Sequence, residues 1–267
     1  MTKPFRLTSY NVLAGAYATG RLFPDVEPGR LGWSTRAPSI VARIAGLRPD
    51  VACLQEVEER AWPALEDSLL AVGWRGVFAA KGRARPDGCV LLYRDGALRF
   101  VEAKPLYFDD GKTGEGGSGH LALIGTFVSS HGLIRIVGTH LRWQAPIVPV
   151  EAHIGYRQAS QLLDHCEEMT PSVLTTVVCG DFNVTPQSPV IALFKERGFR
   201  DAYEAVPQPT CNANHRVARI DYIFSAAALV ATPEPIPVLE GGSVLPSATE
   251  PSDHLPITAS MVFASPA

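Results

Sequence analysis

Val173-Leu174-Thr175-Thr176-Val177-Val178-Cys179-Gly180-Asp181-Phe182-Asn183 is the stretch on which the fold turns. Its apolar, β-branched run has no polar alternation. It reads as a strand buried on both faces, as in the middle of a layered α/β protein. The run stops abruptly at Gly180-Asp181-Phe182-Asn183, where a core ends and a cleft can begin. If residues 181–183 stay extended, Asp181 and Asn183 share one face and Phe182 points the other way, into the packing. A carboxylate and an amide on one face suit a metal, a water or a phosphate.

The rest of the chain is consistent with a large core. It has 267 residues, 46% hydrophobic and 19% charged, and no composition break divides it. The expectation is one α/β domain over residues 1–267. A net charge of −3 weighs against strong nonspecific duplex binding, although a local basic patch can coexist with an acidic total. Cys53, Cys89, Cys166, Cys179 and Cys211 show neither C-x-x-C nor regular spacing. They read as small buried hydrophobes in a reducing compartment rather than as zinc ligands or a disulfide framework. There is no basic, apolar leader pattern and no apolar run of membrane-spanning length. The expected setting is cytoplasmic, with no membrane contact and no obligate protein partner.

Strands are expected at 5–11, 51–55, 89–93, 121–128, 133–139, 173–179, 220–225 and 255–263. Helices are expected at 39–47, 61–72, 154–168 and 189–197. In the first of these, Ile40, Val41, Ile44 and Leu47 share a face. Alternating strands and helices predict α/β, and the hairpin-like pair 121–128 and 133–139 adds antiparallel pairing. The expected architecture is a four-layer α/β sandwich: two mixed β-sheets packed together and flanked by helices. Residues 109–119 are expected to be a flexible loop without Walker spacing. Residues 232–251, rich in Pro, Gly and Ser, are expected to be a long surface excursion.

Polar groups recur where these apolar runs end. Asn11 closes Ser9-Tyr10-Asn11, and Glu56 follows Val51-Ala52-Cys53-Leu54-Gln55. His140 closes Gly138-Thr139-His140, and Asp221 lies within Arg219-Ile220-Asp221-Tyr222. Asp253 and His254 precede the last strand. If the strands assemble as expected, these groups converge at one rim. Glu56, Asp181, Asp253, Asn11 and Asn183 make an oxygen-rich set, which suits Mg²⁺ or Mn²⁺ better than zinc. Two histidines remain for phosphate contact and proton transfer. Phosphodiester hydrolysis needs this combination.

The ordered motifs Tyr10-Asn11-Val12-Leu13, Leu54-Gln55-Glu56-Val57, Thr139-His140-Leu141, Gly180-Asp181-Phe182-Asn183, Ile220-Asp221-Tyr222 and Ser252-Asp253-His254 resemble the endonuclease/exonuclease/phosphatase superfamily, of DNase I-like fold. Asp87-Gly88-Cys89, Tyr17-Ala18-Thr19, Thr139-His140-Leu141-Arg142-Trp143 and Tyr156-Arg157-Gln158 are similar to its CCR4, nocturnin and 2′,5′-phosphodiesterase branch. The resemblance implies Glu56 as the main metal ligand, with Asn11 and Asp253 completing the set. It implies Asp181 as the group that orients or deprotonates the attacking water, and Asn183 as a phosphate holder. His254, oriented by Asp221, and His140 are implied on the phosphate or leaving group. Arg85, Trp143, Arg157 and Arg216 are candidates for substrate binding, and Asn214 and His215 share the loop of Arg216. The deadenylases' adenine-clamping Pro and Phe correspond here to Ala145, next to Pro146, and Arg216. His120, His131, His153 and His165 carry no motif and read as structural.

The expected activity is that of a Mg²⁺-dependent phosphodiesterase, with Mn²⁺ as an alternative cofactor. It would act on RNA or oligonucleotides as a 3′-exoribonuclease does. A phosphatase or phosphodiesterase acting on a small phosphoester or nucleotide is the alternative. Abasic-site DNA cleavage and a silent binding module rank lower.

Overall fold

The computed structural model describes residues 4–111, 117–168, 173–213 and 216–264. In chain order its elements are β1 (Phe5–Asn11), α1 (Pro28–Leu31), α2 (Trp33–Leu47), β2 (Val51–Glu58), α3 (Trp62–Ala71), β3 (Arg75–Ala80), β4 (Asp87–Tyr93), β5 (Arg99–Tyr107), β6 (Leu121–Ser129) and β7 (Gly132–His140). Then follow α4 (Ile154–Glu168), β8 (Thr175–Asp181), α5 (Pro189–Glu196), β9 (Arg200–Asp201), β10 (Cys211–Ala213), β11 (Arg216–Ala218), β12 (Asp221–Ser225), β13 (Leu229–Pro233) and β14 (Ile257–Phe263). Two six-stranded mixed sheets run β13-β14-β1-β2-β4-β3 and β5-β6-β7-β8-β12-β9, and β10-β11 is a separate hairpin.

The unbroken apolar run at β8 has a direct cause. Val177 and Cys179 face the other sheet, in a core shared with Leu7, Val51, Cys53 and Leu91. Val178 and Phe182 face α4 and α5, among Leu162, Leu163 and Phe194. β2 is built the same way, with Cys53 turned toward the facing sheet and Leu54 toward Ile40 and Ile44 of α2. Strands buried on both faces lose their polar alternation. The result is the expected helix, sheet, sheet, helix stack.

Strand direction gathers the polar ends. β1 and β2 are parallel, with Asn11 opposite Gln55. β7 and β8 are parallel, with His140 opposite Asp181. β12 runs antiparallel to β8 and starts with Asp221 opposite Asp181. β14 runs antiparallel to β1 and begins opposite Ser9, so Asp253 and His254 arrive at the same rim. β4 starts there too, with Asp87 opposite Glu58.

Three expectations are corrected. β3, β5 and β13, absent from the expected strands, are sheet edges; β5 is mostly exposed and β3 and β13 hold one buried residue each, so they carry little apolar pattern. Residues 232–251 are a surface excursion only in part. The first two close β13, and Ile236, Leu239 and Leu245 are buried in the core between the sheets. In the expected loop 109–119, Asp110 and Ser118 are buried and bonded to each other, while residues 112–116 lie outside the described set.

Candidate active site

The rim begins with an irregularity in β2. The pairing of β2 with β4 shifts between Gln55 and Val57, and Glu56 has φ +61°. A bulge re-aims the side chain of its extra residue. Here it turns the Glu56 carboxylate toward β1, where Oε2 accepts from Ala14 N at 2.9 Å and Oε1 accepts from Asn11 Nδ2 at 3.0 Å. The same Asn11 amide nitrogen donates to Asp181 Oδ2 at 3.0 Å. Asn11 Oδ1 is taken by Leu13 N at 3.0 Å. Asn11 therefore bridges the two carboxylates with its NH₂ rather than presenting an open oxygen, as a metal ligand would.

Residues 181–183 do not stay extended. Asn183 is left-handed at φ +54° and its N–H donates back to Asp181 Oδ1 at 2.8 Å, an Asx turn. Phe182 packs into the helix-side core as expected. The turn brings the Asn183 amide 3.0 Å from His140 Nε2. Gly180 makes the approach of β8 to β7 possible: a Cβ there would lie 1.9 Å from Thr139 O.

Each histidine is held through its Nδ1. His254 Nδ1 donates to Asp221 Oδ2 at 2.9 Å, and Thr210 Oγ1 donates to the same oxygen at 2.6 Å. Burial works against charge on His254, but Asp221 and then Asp253 outweigh it and hold its pKa well above the usual value. Its Nε2 faces Asp181 Oδ2 at 3.7 Å. His140 has the opposite partner. Lys81 Nζ, ion-paired with Asp87 at 2.5 Å, lies 3.1 Å from His140 Nδ1. An ammonium only donates, and so does the Asn183 amide nitrogen that lies 3.0 Å from Nε2, so a neutral ring accepts from only one of the two; Nε2 also lies 3.7 Å from Asp181 Oδ2. Burial and then the Lys81 charge keep the His140 pKa well below its usual value. The site thus pairs a charged imidazole with a neutral one, on either side of one carboxylate.

Carboxylates crowd this rim. One ligand atom each from Glu56, His140 and Asp181 lie within 4.8 Å of one another, as do those from Asp181, Asp221 and His254. Burial raises the pKa of Asp181 to about 7. Burial and the nearby Asp253 charge raise Glu56, and burial raises Asp253. Asp253 joins neither close grouping and acts on Glu56 through its charge. Beside the carboxylates opens a cavity of about 660 Å³, lined by Trp143, Pro146, Tyr156, Asn183, Cys211 and Arg216 among others.

The pattern of the endonuclease/exonuclease/phosphatase family matches residues 8–254, which span this whole rim. The chain belongs to the endonuclease/exonuclease/phosphatase family. It is an enzyme, a phosphoester hydrolase, as that membership and its relatives establish. Among curated relatives, carbon catabolite repressor protein 4 homolog 4 of Arabidopsis thaliana is 25% identical over 96% of this chain and 76% of its own length. Protein angel homolog 2 of Homo sapiens is 26% identical over 83% of this chain, which spans about two-fifths (42%) of that protein. The CCR4-Not complex 3′-5′-exoribonuclease subunit Ccr4 of Yarrowia lipolytica is 26% identical over 72% of this chain and 34% of its own length. A crystal structure of ANGEL2, described as a 2′,3′-cyclic phosphatase in complex with adenosine-2′,3′-vanadate, superposes with TM-score 0.84 at 22% identity, covering 97% of this chain and 95% of that one. The human nocturnin catalytic domain with bound sulfate gives TM-score 0.78 at 24% identity, covering 98% and 95%. These two likenesses place the chain on the family's fold.

Within that family frame, the candidate substrate residues divide. Trp143 and Arg216 line the cavity. Pro146, rather than Ala145, faces it. Arg85 donates to Ser118 O at 3.1 Å, and its charge reaches His120 and His140. Arg157 is corrected. One step round α4 from Tyr156, it leaves the cavity, donates to Asp110 O at 2.6 Å and lines a separate groove with Leu106 and Asp109. Asn214 and His215 lie outside the described residues.

Lys81, Thr210 and Arg36 carry no signal that the sequence reading used for the site, and Tyr17 entered it only through the branch motif Tyr17-Ala18-Thr19. Tyr17 donates to Asp87 Oδ1 at 3.0 Å. Arg36 is buried and donates to the carbonyls of Val12, Leu13, Leu31 and Pro251, tying the loop after β1 to the approach of Asp253. Asp87, six residues after Lys81 in the Asp-Gly-Cys motif, is the one available pointer to the lysine.

Proposed function

We propose that this hydrolase is a Mg²⁺-dependent phosphodiesterase acting on RNA or oligonucleotides, in the manner of a 3′-exoribonuclease. One observation carries the reading. Glu56, Asp181, Asn183, His140 and the Asp221–His254 pair meet at one rim, and Asn183 of that set also lines the apolar cavity. A phosphoester at the rim can place a nucleoside in the cavity, against Trp143 and beside the Arg216 cation. The relative described as a 3′-5′-exoribonuclease subunit supports the same substrate class.

The donor set fits a hard divalent cation. Buried carboxylates that raise one another's pKa are relieved by a positive ion, and oxygen donors favour Mg²⁺ or Mn²⁺. Glu56 would hold it, with Asp253 behind. When bound, such an ion polarises a phosphoryl oxygen. Asp181, with a pKa near neutrality, is suited to orient the attacking water and accept its proton. The Nε2 proton of His254, with the His140 ring opposite it, stabilises the charge that develops on the phosphoryl and leaving oxygens. Asn183 positions the phosphate, and Lys81 holds the His140 ring at Nδ1.

A second reading, a small nucleotide phosphoester as substrate, is favoured by the ANGEL2 likeness. A panel of poly(A), 2′,5′-oligoadenylate, 2′,3′-cyclic nucleotides, abasic duplex and phosphomonoesters, each with Mg²⁺ and with Mn²⁺, separates the two. Glu56→Ala and His254→Ala should each lower turnover about a hundredfold or more. Near-normal hydrolysis by either variant would sink the assignment. The setting we propose is cytoplasmic, which the burial of all five cysteines, none of them in a disulfide, supports. No described helix is long and apolar enough to cross a membrane. We also propose a single domain over residues 1–267, supported by the pairing of β14 with β1.

A further inference from the structure

His120 carries no motif, yet it lies against the catalytic rim. It immediately precedes β6 and is buried, and its ring meets that of His140 edge to face, with centroids 5.9 Å apart and planes at 83°. Its Nδ1 is 2.9 Å from Ser118 Oγ. Ser118 has one hydroxyl hydrogen, and a buried carboxylate oxygen of Asp110 takes it at 2.6 Å. A charged acceptor wins that proton. Ser118 Oγ can then only accept from His120, which fixes the His120 proton on Nδ1. Burial, and then the Lys81, Arg85 and Arg142 charges, lower the His120 pKa to about 2, so the ring stays neutral.

The same carboxylate ties in a second arm. Asp110 also accepts from Ser118 N and from Gln158 Nε2. Gln158, fully buried on α4, accepts through Oε1 from the N–H of Arg142 at 2.8 Å. Arg142 is two residues beyond His140. The Asp110–Ser118–Gln158 clasp therefore reaches His140 twice, at its ring through His120 and at its following backbone through Gln158. None of these groups lines the cavity, and all are buried. A side chain that leaves its productive position by about 1 Å can cost about a hundredfold in rate.

We infer that His120 is a positioning residue for His140, and that the Asp110–Ser118–Gln158 clasp holds it in place. The inference rests on the reading above in assigning His140 to the reacting phosphate. Its test uses the full chain labelled with ¹⁵N-histidine, the His140 signals being identified by their loss in His140→Gln. Ser118→Ala should shift the His140 ring resonances while leaving those of His131 and His165, far from the rim, in place. With the panel member that the enzyme hydrolyses, turnover should fall about tenfold with KM within about twofold. His120→Phe, which keeps an aromatic face, should retain more turnover than His120→Ala. If Ser118→Ala does not fold, His120→Phe supplies the same spectrum. Unmoved His140 signals, or equal shifts at His131 and His165, overturn the brace. Shifted His140 signals in a protein that hydrolyses no panel member support the brace and overturn the proposed activity instead.

Discussion

Lys81 concentrates the chemistry of the rim in one side chain. Its ammonium is buried, with Asp87 Oδ2 at 2.5 Å and His140 Nδ1 at 3.1 Å. Removing the cation leaves the Asp87 carboxylate in the core without its ammonium partner, while Tyr17 OH still donates to it. Breaking a buried pair on one side costs about 3–5 kcal/mol, whereas removing both charges costs far less. Lys81→Met should therefore lower both stability and turnover. The double variant Lys81→Met/Asp87→Asn should regain most of the stability and little of the turnover, because His140 Nδ1 still lacks its Lys81 partner. Urea unfolding and steady-state kinetics on both variants check this. A double variant with wild-type turnover would remove Lys81 from the mechanism. Lys81 was also the residue least legible in the sequence. A lone lysine after two alanines reads as a surface group, and what buries it is a carboxylate six residues on and a histidine from the other sheet. Asp181, Glu56 and His254 were legible because each abuts an apolar run in a known order. The role of Asn11 was not, since its Oδ1 turns inward to Leu13 N.

At the scale of elements, what was legible follows burial. β1, β2, β4, β6, β7, β8, β12 and β14 lie inside the two sheets, and their apolar runs marked them in the sequence. β5 pairs only with β6 and is exposed along much of its length, so nothing forces a pattern on it. The bulge in β2 was also hidden, because a one-residue shift leaves no trace in composition. Its consequence is testable. Glu56 holds a left-handed conformation at φ +61°, which costs a non-glycine residue about 1–2 kcal/mol. Both Glu56→Ala and Glu56→Gly delete the carboxylate. Only glycine relieves the backbone, so Glu56→Gly should be about 1 kcal/mol more stable than Glu56→Ala while hydrolysing no faster. Denaturant midpoints measure the difference. Equal stability, or a more stable alanine variant, would show that the bulge relaxes when the carboxylate goes.

The whole molecule joins two sheets at a rim where Glu56, Asp181, Asp221 and Asp253 sit close together in a buried setting. Burial raises Asp181 to about 7 from its ordinary value near 3.8. A folded-state pKa above the unfolded one means that the folded chain binds the extra proton. Its stabilising effect is present at low pH and lost as pH rises through about 7. Above that pH the metal-free protein carries the Asp181 charge as well, which the neighbouring His254 offsets only in part. A divalent ion that binds only the folded state adds stability by mass action, about 2.7 kcal/mol at a hundred times its dissociation constant. For a chain of this size, that corresponds to roughly 5–10 °C in Tm. Below about pH 7 the ion must displace the Asp181 proton first, so its effect shrinks. Mg²⁺ added to chelator-treated protein should raise Tm clearly at pH 8 and much less at pH 6, and Glu56→Gln should abolish most of the rise at both. Calorimetric scans at the two pH values decide it. A rise as large at pH 6 as at pH 8 would mean that the ion binds away from Asp181, and a rise that survives Glu56→Gln would move the metal off this rim.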